Sequence, residues 1–222
     1  MSVLIAMPCY GGNVGEKTTT GLFKLGKELY KNDIDHGMLT LSNESLISRG
    51  RSRIVNFFLN NTEYEYLFFL DADVGFVPED FFQLWDNRDL KMVSGAYPMK
   101  SLPLQYNYNL IEPINQIREN IAEIGGIGLG FSLISREVFM SIAKDFSDLK
   151  YEPNRNSSTK PLSDKEIENS YHFFVERKID GKYLPEDHSF FSRARDCGYK
   201  SWLCESINLA HTGYYVFEKG TQ

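Results

Sequence analysis

Two aspartates separated by one residue, Asp71-Ala72-Asp73, follow the apolar run Tyr66-Leu67-Phe68-Phe69-Leu70 and precede Val74-Gly75. Carboxylates at i and i+2 of an extended chain point to one side, and the small residue between them lets a ligand approach the backbone. Hard divalent cations take oxygen ligands, and Mg²⁺ or Mn²⁺ commonly bridges carboxylates to substrate phosphates. Asp71 and Asp73 therefore read as a metal site; the plainer alternative is a solvated turn where a strand exits. A second acidic pair, Glu186-Asp187, follows Leu184-Pro185 and opens a helical pattern through Phe190, Phe191 and Ala194 that Gly198 would stop. There it either complements a helix N-terminus or holds a general base on a rigid support.

His211, in Leu209-Ala210-His211-Thr212-Gly213, is either a structural histidine among apolar neighbours or a nitrogen ligand for Mn²⁺. The run Ser48-Arg49-Gly50-Arg51-Ser52-Arg53 begins a helical segment. Arginines there suit bidentate phosphate recognition, and a helix N-terminus favours anions. A solvated helix face would account for any one of these arginines as well.

These residues need a scaffold, and the first half of the chain alternates strand and helix signals. Val3–Met7 is a buried-strand run ended by Pro8. Leu22, Leu25, Leu29 and Tyr30 make one face of a helix over 18–30. Met38–Leu41 reads as a short strand, and Ile47, Ile54, Val55 and Phe58 mark a second helix. Tyr66–Leu70 is the strongest strand signal. Pro78-Glu79-Asp80 opens a third helix, and Met92–Gly95 is a fourth strand. Further on, 105–109 and 121–124 are candidate strands, and a strand over 129–134 leads into a helix over 136–146. The stretch 147–169 is expected to be a long, flexible loop. Repeated β-then-α units imply a mostly parallel sheet flanked by helices with right-handed crossovers. Ligands of such sheets bind beyond the carboxyl ends of the strands, which is where the unusual polar residues fall. One domain over 1–222 is expected, with a nucleotide-binding half (1–100) and an acceptor and sugar half (101–222).

Composition narrows the function classes. Hydrophobic residues are 42% and charged residues 24% of the chain, a globular mix that excludes wholesale disorder. The net charge of −6, with charges interspersed, argues against a nucleic-acid partner held through phosphates. Cys9, Cys197 and Cys204 form no CxxC pair, so zinc-ribbon and disulfide-scaffold readings fail and a cytoplasmic setting is expected. No run approaches the ~18 apolar residues of a membrane span, and the N-terminal apolar run lacks a basic leader.

In this order the pieces resemble the GT-A fold glycosyltransferases, of the family-two-like kind found in bacteria and large viruses. Ala6-Met7-Pro8-Cys9-Tyr10 looks like the first-strand motif whose end meets the nucleotide base, and Arg51-Ser52 falls where the family often has Arg-Asn. Asp71-Ala72-Asp73 looks like the D-x-D that binds metal, diphosphate and ribose. Gly126-Ile127-Gly128-Leu129-Gly130-Phe131 and the following Ile134–Phe139 resemble the strand and helix bordering the sugar pocket. Glu186-Asp187 matches the acidic pair containing the catalytic base, and His211 falls where some relatives place a further metal ligand.

The resemblance implies a Rossmann-like GT-A domain and a nucleotide-sugar donor, UDP-sugar favoured. It also implies Mn²⁺ or Mg²⁺ and a glycan, glycoprotein or other hydroxyl acceptor. Donor-binding residues would be Pro8, Cys9, Tyr10, Arg49, Arg51, Asp71, Ala72, Asp73, Gly128, Gly130 and Glu186, with Asp71, Asp73 and His211 at the metal. Asp187 would take the acceptor proton in a single, inverting displacement. Two departures stand out: Ser52 replaces the usual asparagine, and 147–169 has no counterpart. Two rival readings are a haloacid-dehalogenase-like phosphatase with Asp71 as nucleophile and a non-catalytic sugar-nucleotide-binding module. Gly75, four residues after Asp71, is not the Thr or Val usual in the former.

Overall fold

Strand β1 (Ser2–Cys9) is apolar on both faces and lies inside a sheet. Next come α1 (Glu16–Lys31), β2 (Asp35–Ser42), α2 (Ile47–Asn61) and β3 (Tyr66–Leu70). After them are β4 (Val74–Gly75), α3 (Pro78–Asp86), β5 (Met92–Ser94), β6 (Tyr108–Leu110), β7 (Gln116–Arg118), β8 (Ile121–Ile127) and β9 (Phe131–Ser135). The chain continues through α4 (Arg136–Asp145), α5 (Asp164–Glu168), β10 (Arg177–Ile179), β11 (Lys182–Leu184) and α6 (Glu186–Asp196). It closes with β12 (Ser201–Cys204), β13 (Ala210–Thr212) and β14 (Val216–Phe217). The computed structural model describes residues 1–153, 164–213 and 215–219.

Among the described residues nine strands form the central sheet, in the order β2-β1-β3-β9-β5-β12-β8-β6 with β7 also on β8. β1 is parallel to β2 and β3, and β12 is parallel to β5. β9 runs against both β3 and β5, while β8 runs against β12, β6 and β7. Seven strands thus share one direction and two oppose it. This is the expected mostly parallel α/β sheet, interrupted where the expected strand over 129–134 enters as the reversed β9. Two smaller sheets, β10-β11 and β14-β13-β4, lie outside it.

Alternation along the strands sorts the core into two layers. Val3, Ile5, Met7, Phe68 and Leu70 pack with Leu25 and Leu29 of α1 and with Phe81 and Trp85 of α3. Leu4, Ala6, Leu67 and Phe69 face Ile54 and Phe58 of α2, Phe139 of α4 and Phe190 of α6. A period of two on the strands therefore assigns helices to opposite faces of one sheet. No helix among the described residues is long and apolar enough to cross a membrane.

Several expectations need correction. The strand expected over 38–41 spans Asp35–Ser42, and that expected over 105–109 begins only at Tyr108. The stretch 147–169 is not one loop. Ser147–Leu149 forms a helical turn, Lys150 bridges Tyr171, and Asp164–Glu168 is α5. The polar run over 154–159 lies outside the described residues. The short strands β4 and β10 to β14 were not foreseen, since runs of two to four residues carry no readable periodicity.

Helix α2 carries Arg51, and two devices hold it. The Asn56 amide donates to Tyr171 O at 3.1 Å and accepts from Tyr171 N at 3.0 Å. At its C-terminus, Arg136 donates to the carbonyls of Phe58, Thr62 and Tyr64 at 2.8–3.0 Å and lies 4.1 Å from the Phe58 ring centroid. Carbonyls in the last turn of a helix have no intrahelical partner, and Arg136 satisfies two of those around α2. Arg136→Met is expected to lower the unfolding free energy by about 2–3 kcal/mol in urea titration, because these carbonyls lose a charged donor. A loss below about 0.5 kcal/mol, the range of an ordinary surface change, would mean Arg136 does not hold α2.

Candidate active site

β3 ends at Leu70, and the chain turns at once: Val74 N donates to Asp71 O at 3.1 Å. The extended geometry expected of Asp71-Ala72-Asp73 is thus absent, and the two carboxylates take different partners. A close turn reverses the chain within four residues, so the i and i+2 side chains no longer share a face. Ala72 lies at the turn with its carbonyl accepting from Gly15 N at 2.7 Å.

Asp71 faces Arg51. The guanidinium is 4% exposed; Nη2 donates to Asp71 Oδ1 and Oδ2 at 3.2 and 3.3 Å, and Nη1 donates to Glu186 Oε1 at 2.8 Å. One buried cation thereby links the end of β3 to the start of α6. Burial alone would lower the Arg51 pKa, but Asp71, Tyr97, Glu186 and Asp187 together hold it above the ordinary arginine value. Both Nη groups are engaged with carboxylates, so this geometry does not offer the exposed phosphate fork expected of Arg51. Arg49 is exposed and paired with Glu44, at 2.6 Å from Nη2 to Oε1. Ser52 accepts from Phe174 N at 3.4 Å.

Tyr97 was not singled out from the sequence, yet it sits at the centre of the site. Its hydroxyl donates to Asp71 Oδ2 at 3.4 Å and accepts from Gly130 N at 3.2 Å, and its ring lies 5.0 Å from that of His211. Burial and then the Asp71 carboxylate push the phenol pKa up, so Tyr97 stays a neutral donor. Gly128 and Gly130 make this possible: a Cβ at either would come within 2.8 Å of the Tyr97 hydroxyl, and at Gly130 it would also strike Asp71. The position of Tyr97, just beyond the carboxyl end of β5, was the signal available.

Asp73 points elsewhere. Its Oδ2 accepts from Lys100 Nζ at 2.5 Å, and its Oδ1 lies 3.4 Å from His211 Nε2. Burial would raise its pKa, but His211 and Lys100 outweigh that and hold it at about 2. Strand pairing brings His211 here, since β13 lies against β4 with His211 opposite Val74 and Thr212 N donating to Asp73 O at 2.8 Å. His211 Nδ1 donates to Pro98 O at 2.8 Å, which leaves Nε2 toward Asp73. A neutral imidazole lone pair facing a carboxylate is unfavourable unless a cation or proton stands between them. This anchored-ring arrangement is also the one metal-binding histidines use. Asp73 and His211 therefore suit Mn²⁺ as a two-ligand nucleus. Among the described residues no group of three or more His, Cys, Asp or Glu forms a closed metal site.

Glu186 and Asp187 are in the first turn of α6, whose flanking Pro185 makes no side-chain cap. Burial first, and Asp187 second, raise the Glu186 pKa, with Arg51 opposing. Asp187 is 7% exposed; its Oδ1 accepts from His188 N at 2.7 Å, and no described residue donates to Oδ2. His188, also unforeseen, lies 3.3 and 3.4 Å from the Asn109 and Asn107 amides. Gly198 ends α6 at φ +88°, as a C-terminal stop requires. On the far side, Pro8 is half-buried at the end of β1, and Cys9 donates to Asn13 O at 3.2 Å. Tyr10 is 72% exposed in the turn that follows, with its ring open to a planar ligand.

No protein-family model matches the chain, and no curated protein matches it significantly. Among solved structures, the protein A197 from STIV superposes with a TM-score of 0.58 at 21% identity, over 100% of this chain and 96% of that one. GalNAc-T7, solved with UDP, GalNAc and Mn²⁺, gives 0.50 at 9% identity over 95% of this chain and 44% of that one. The catalytic domain of Drosophila beta1,4galactosyltransferase 7, in complex with xylobiose, gives 0.48 at 14% identity over 93% of this chain and 66% of that one. The fold is GT-A-like.

Arg51 makes the site sensitive to pH in a defined sense. It stabilises Glu186 only while that carboxylate is ionised, so this part of its contribution is present above the Glu186 pKa and fades as pH falls through that raised value. Arg51→Met is expected to cost about 2 kcal/mol near neutral pH, because two part-buried carboxylates lose their charged donor. That cost should shrink as pH falls toward the ordinary glutamate range in paired urea titrations. A cost independent of pH would show that Arg51 acts by packing alone.

Proposed function

We propose that this chain is a metal-dependent glycosyltransferase. It would move a sugar from a nucleotide diphosphate donor, a UDP-sugar by preference, to a glycan or other hydroxyl acceptor, with inversion at the anomeric carbon. The observation that carries this reading is the turn at the carboxyl end of β3, which bears Asp71 and Asp73 on separate partners and to which Arg51 ties Glu186, the neighbour of Asp187. Two basic side chains, Arg51 and Lys100, pair with Asp71, Asp73 and Glu186. A diphosphate would be repelled from such a site without a further cation. The UDP, GalNAc and Mn²⁺ held by GalNAc-T7 on a similar fold are ligands of the kind this reading requires.

Asp73 and His211 would hold the divalent ion, and a bound Mn²⁺ or Mg²⁺ supplies neutralisation of charge developing on the leaving diphosphate. Tyr10 offers a face to the nucleotide base. Tyr97 and Arg51 fix Asp71, and Arg51 fixes Glu186, so the first turn of α6 is set against the end of β3. Asp187 takes the acceptor proton on Oδ2, while Oδ1 stays on His188 N. The phosphatase reading requires Asp71 as a free nucleophile. Arg51 engages both of its oxygens and Tyr97 a second time engages one, which disfavours that role.

Asparagine at 187 keeps an oxygen for His188 N, so Asp187→Asn separates chemistry from capping. Donor affinity is expected to stay within about threefold of wild type, while transfer or donor hydrolysis with Mn²⁺ falls by roughly 10²–10⁴-fold. Wild-type turnover would remove Asp187 as the base, and loss of donor binding would move it into the donor site. No wild-type turnover of any nucleotide sugar would favour a binding module. Asp73→Asn is expected to abolish the metal dependence of UDP binding in calorimetry while leaving the melting temperature near that of wild type. Unchanged affinity would exclude Asp73 as a ligand.

A further inference from the structure

Lys100 lies outside every motif discussed so far, yet it makes one of the shortest ion pairs in the site. It sits in the loop between Pro98 and Tyr106, which pair as an isolated bridge, and Met99 N donates to Gln105 O at 2.7 Å across the loop. From there Nζ reaches Asp73 Oδ2 at 2.5 Å. The stem runs along Gly213, where a Cβ would come within 3.1 Å of Lys100 Cδ. The same loop start supplies the Pro98 carbonyl that anchors His211.

The ammonium thus stands on the carboxylate that the metal reading requires. An ammonium and a divalent ion on one carboxylate would lie within a few ångströms and repel strongly, so the two compete for Asp73. The Lys100 side chain is 40% exposed and long, so it can leave Asp73 if another anion is offered nearby. A donor diphosphate offers one. We propose that Lys100 is the site's built-in counter-ion: it pairs with Asp73 until a divalent ion takes that carboxylate, and then passes to the donor's phosphate oxygens. Metal and nucleotide then bind as a coupled pair, and the metal alone binds weakly. This rests on the donor and metal reading above.

The test is Mn²⁺ binding to the full chain, followed by the electron paramagnetic resonance of free Mn²⁺, with and without UDP. Lys100→Met should bind Mn²⁺ alone about tenfold more tightly than wild type, and UDP should tighten Mn²⁺ binding by a correspondingly smaller factor. Gly213→Ala, whose methyl presses on the Lys100 stem, should shift both in the same direction to a smaller degree. Asp73→Asn in the Lys100→Met background should lose the gain. Equal Mn²⁺ affinity for wild type and Lys100→Met without UDP, in proteins of equal melting temperature, would overturn the role of Lys100 and leave the metal reading standing. Failure of either protein to bind Mn²⁺ even with UDP would overturn both.

Discussion

The site depends on one buried guanidinium. Arg51 projects from α2 into the gap between the end of β3 and the start of α6, and it is the positive charge on which Asp71 and Glu186 converge. Two part-buried carboxylates this close would otherwise repel one another. Because both Nη groups are engaged, the pairing fixes orientation as well as charge. It ties together three segments that are remote in sequence: residues 51, 71 and 186.

Around that link the site divides into two compartments that share Tyr97. On one side Arg51, Asp71 and Glu186 form a neutralising, rigid wall against which Asp187 is set. On the other, Asp73, His211 and Lys100 form a more open group, in which the lysine is long and half-exposed and His211 Nε2 faces Asp73. Tyr97 touches both, through its hydroxyl to Asp71 and its ring to His211. The glycines at 128 and 130 are explained by that shared residue, because any side chain there would displace it.

The architecture explains how such remote residues meet. The carboxyl end of β3 is a central position, with β1 on one side and the reversed β9 on the other. The turn at Asp71–Val74 redirects the chain into β4, and β13 returns from near the C-terminus to pair with it. That short three-stranded sheet buries Val74, Ala210 and Phe217. Its effect is to deliver His211 to Asp73 from 138 positions along the chain.

The sequence by itself determined the α/β layering. Tyr66–Leu70, the helix faces over 18–30 and 47–58, and Gly198 as a helix stop were legible because apolar period and glycine conformation are local properties. The order of the acidic motifs carried the likeness to a GT-A fold for the same reason. Only the tertiary structure decided which charges meet. It turned Asp71 away from Asp73, paired Arg51 internally, and placed Lys100 on Asp73 and Tyr97 between the two halves of the site. It also reversed β8 and β9 and ordered part of the stretch expected to be loop. These outcomes rest on ion pairs and two-to-five-residue strand pairings between distant segments. Their energies depend on distance and burial in space, and no periodicity along the chain records them.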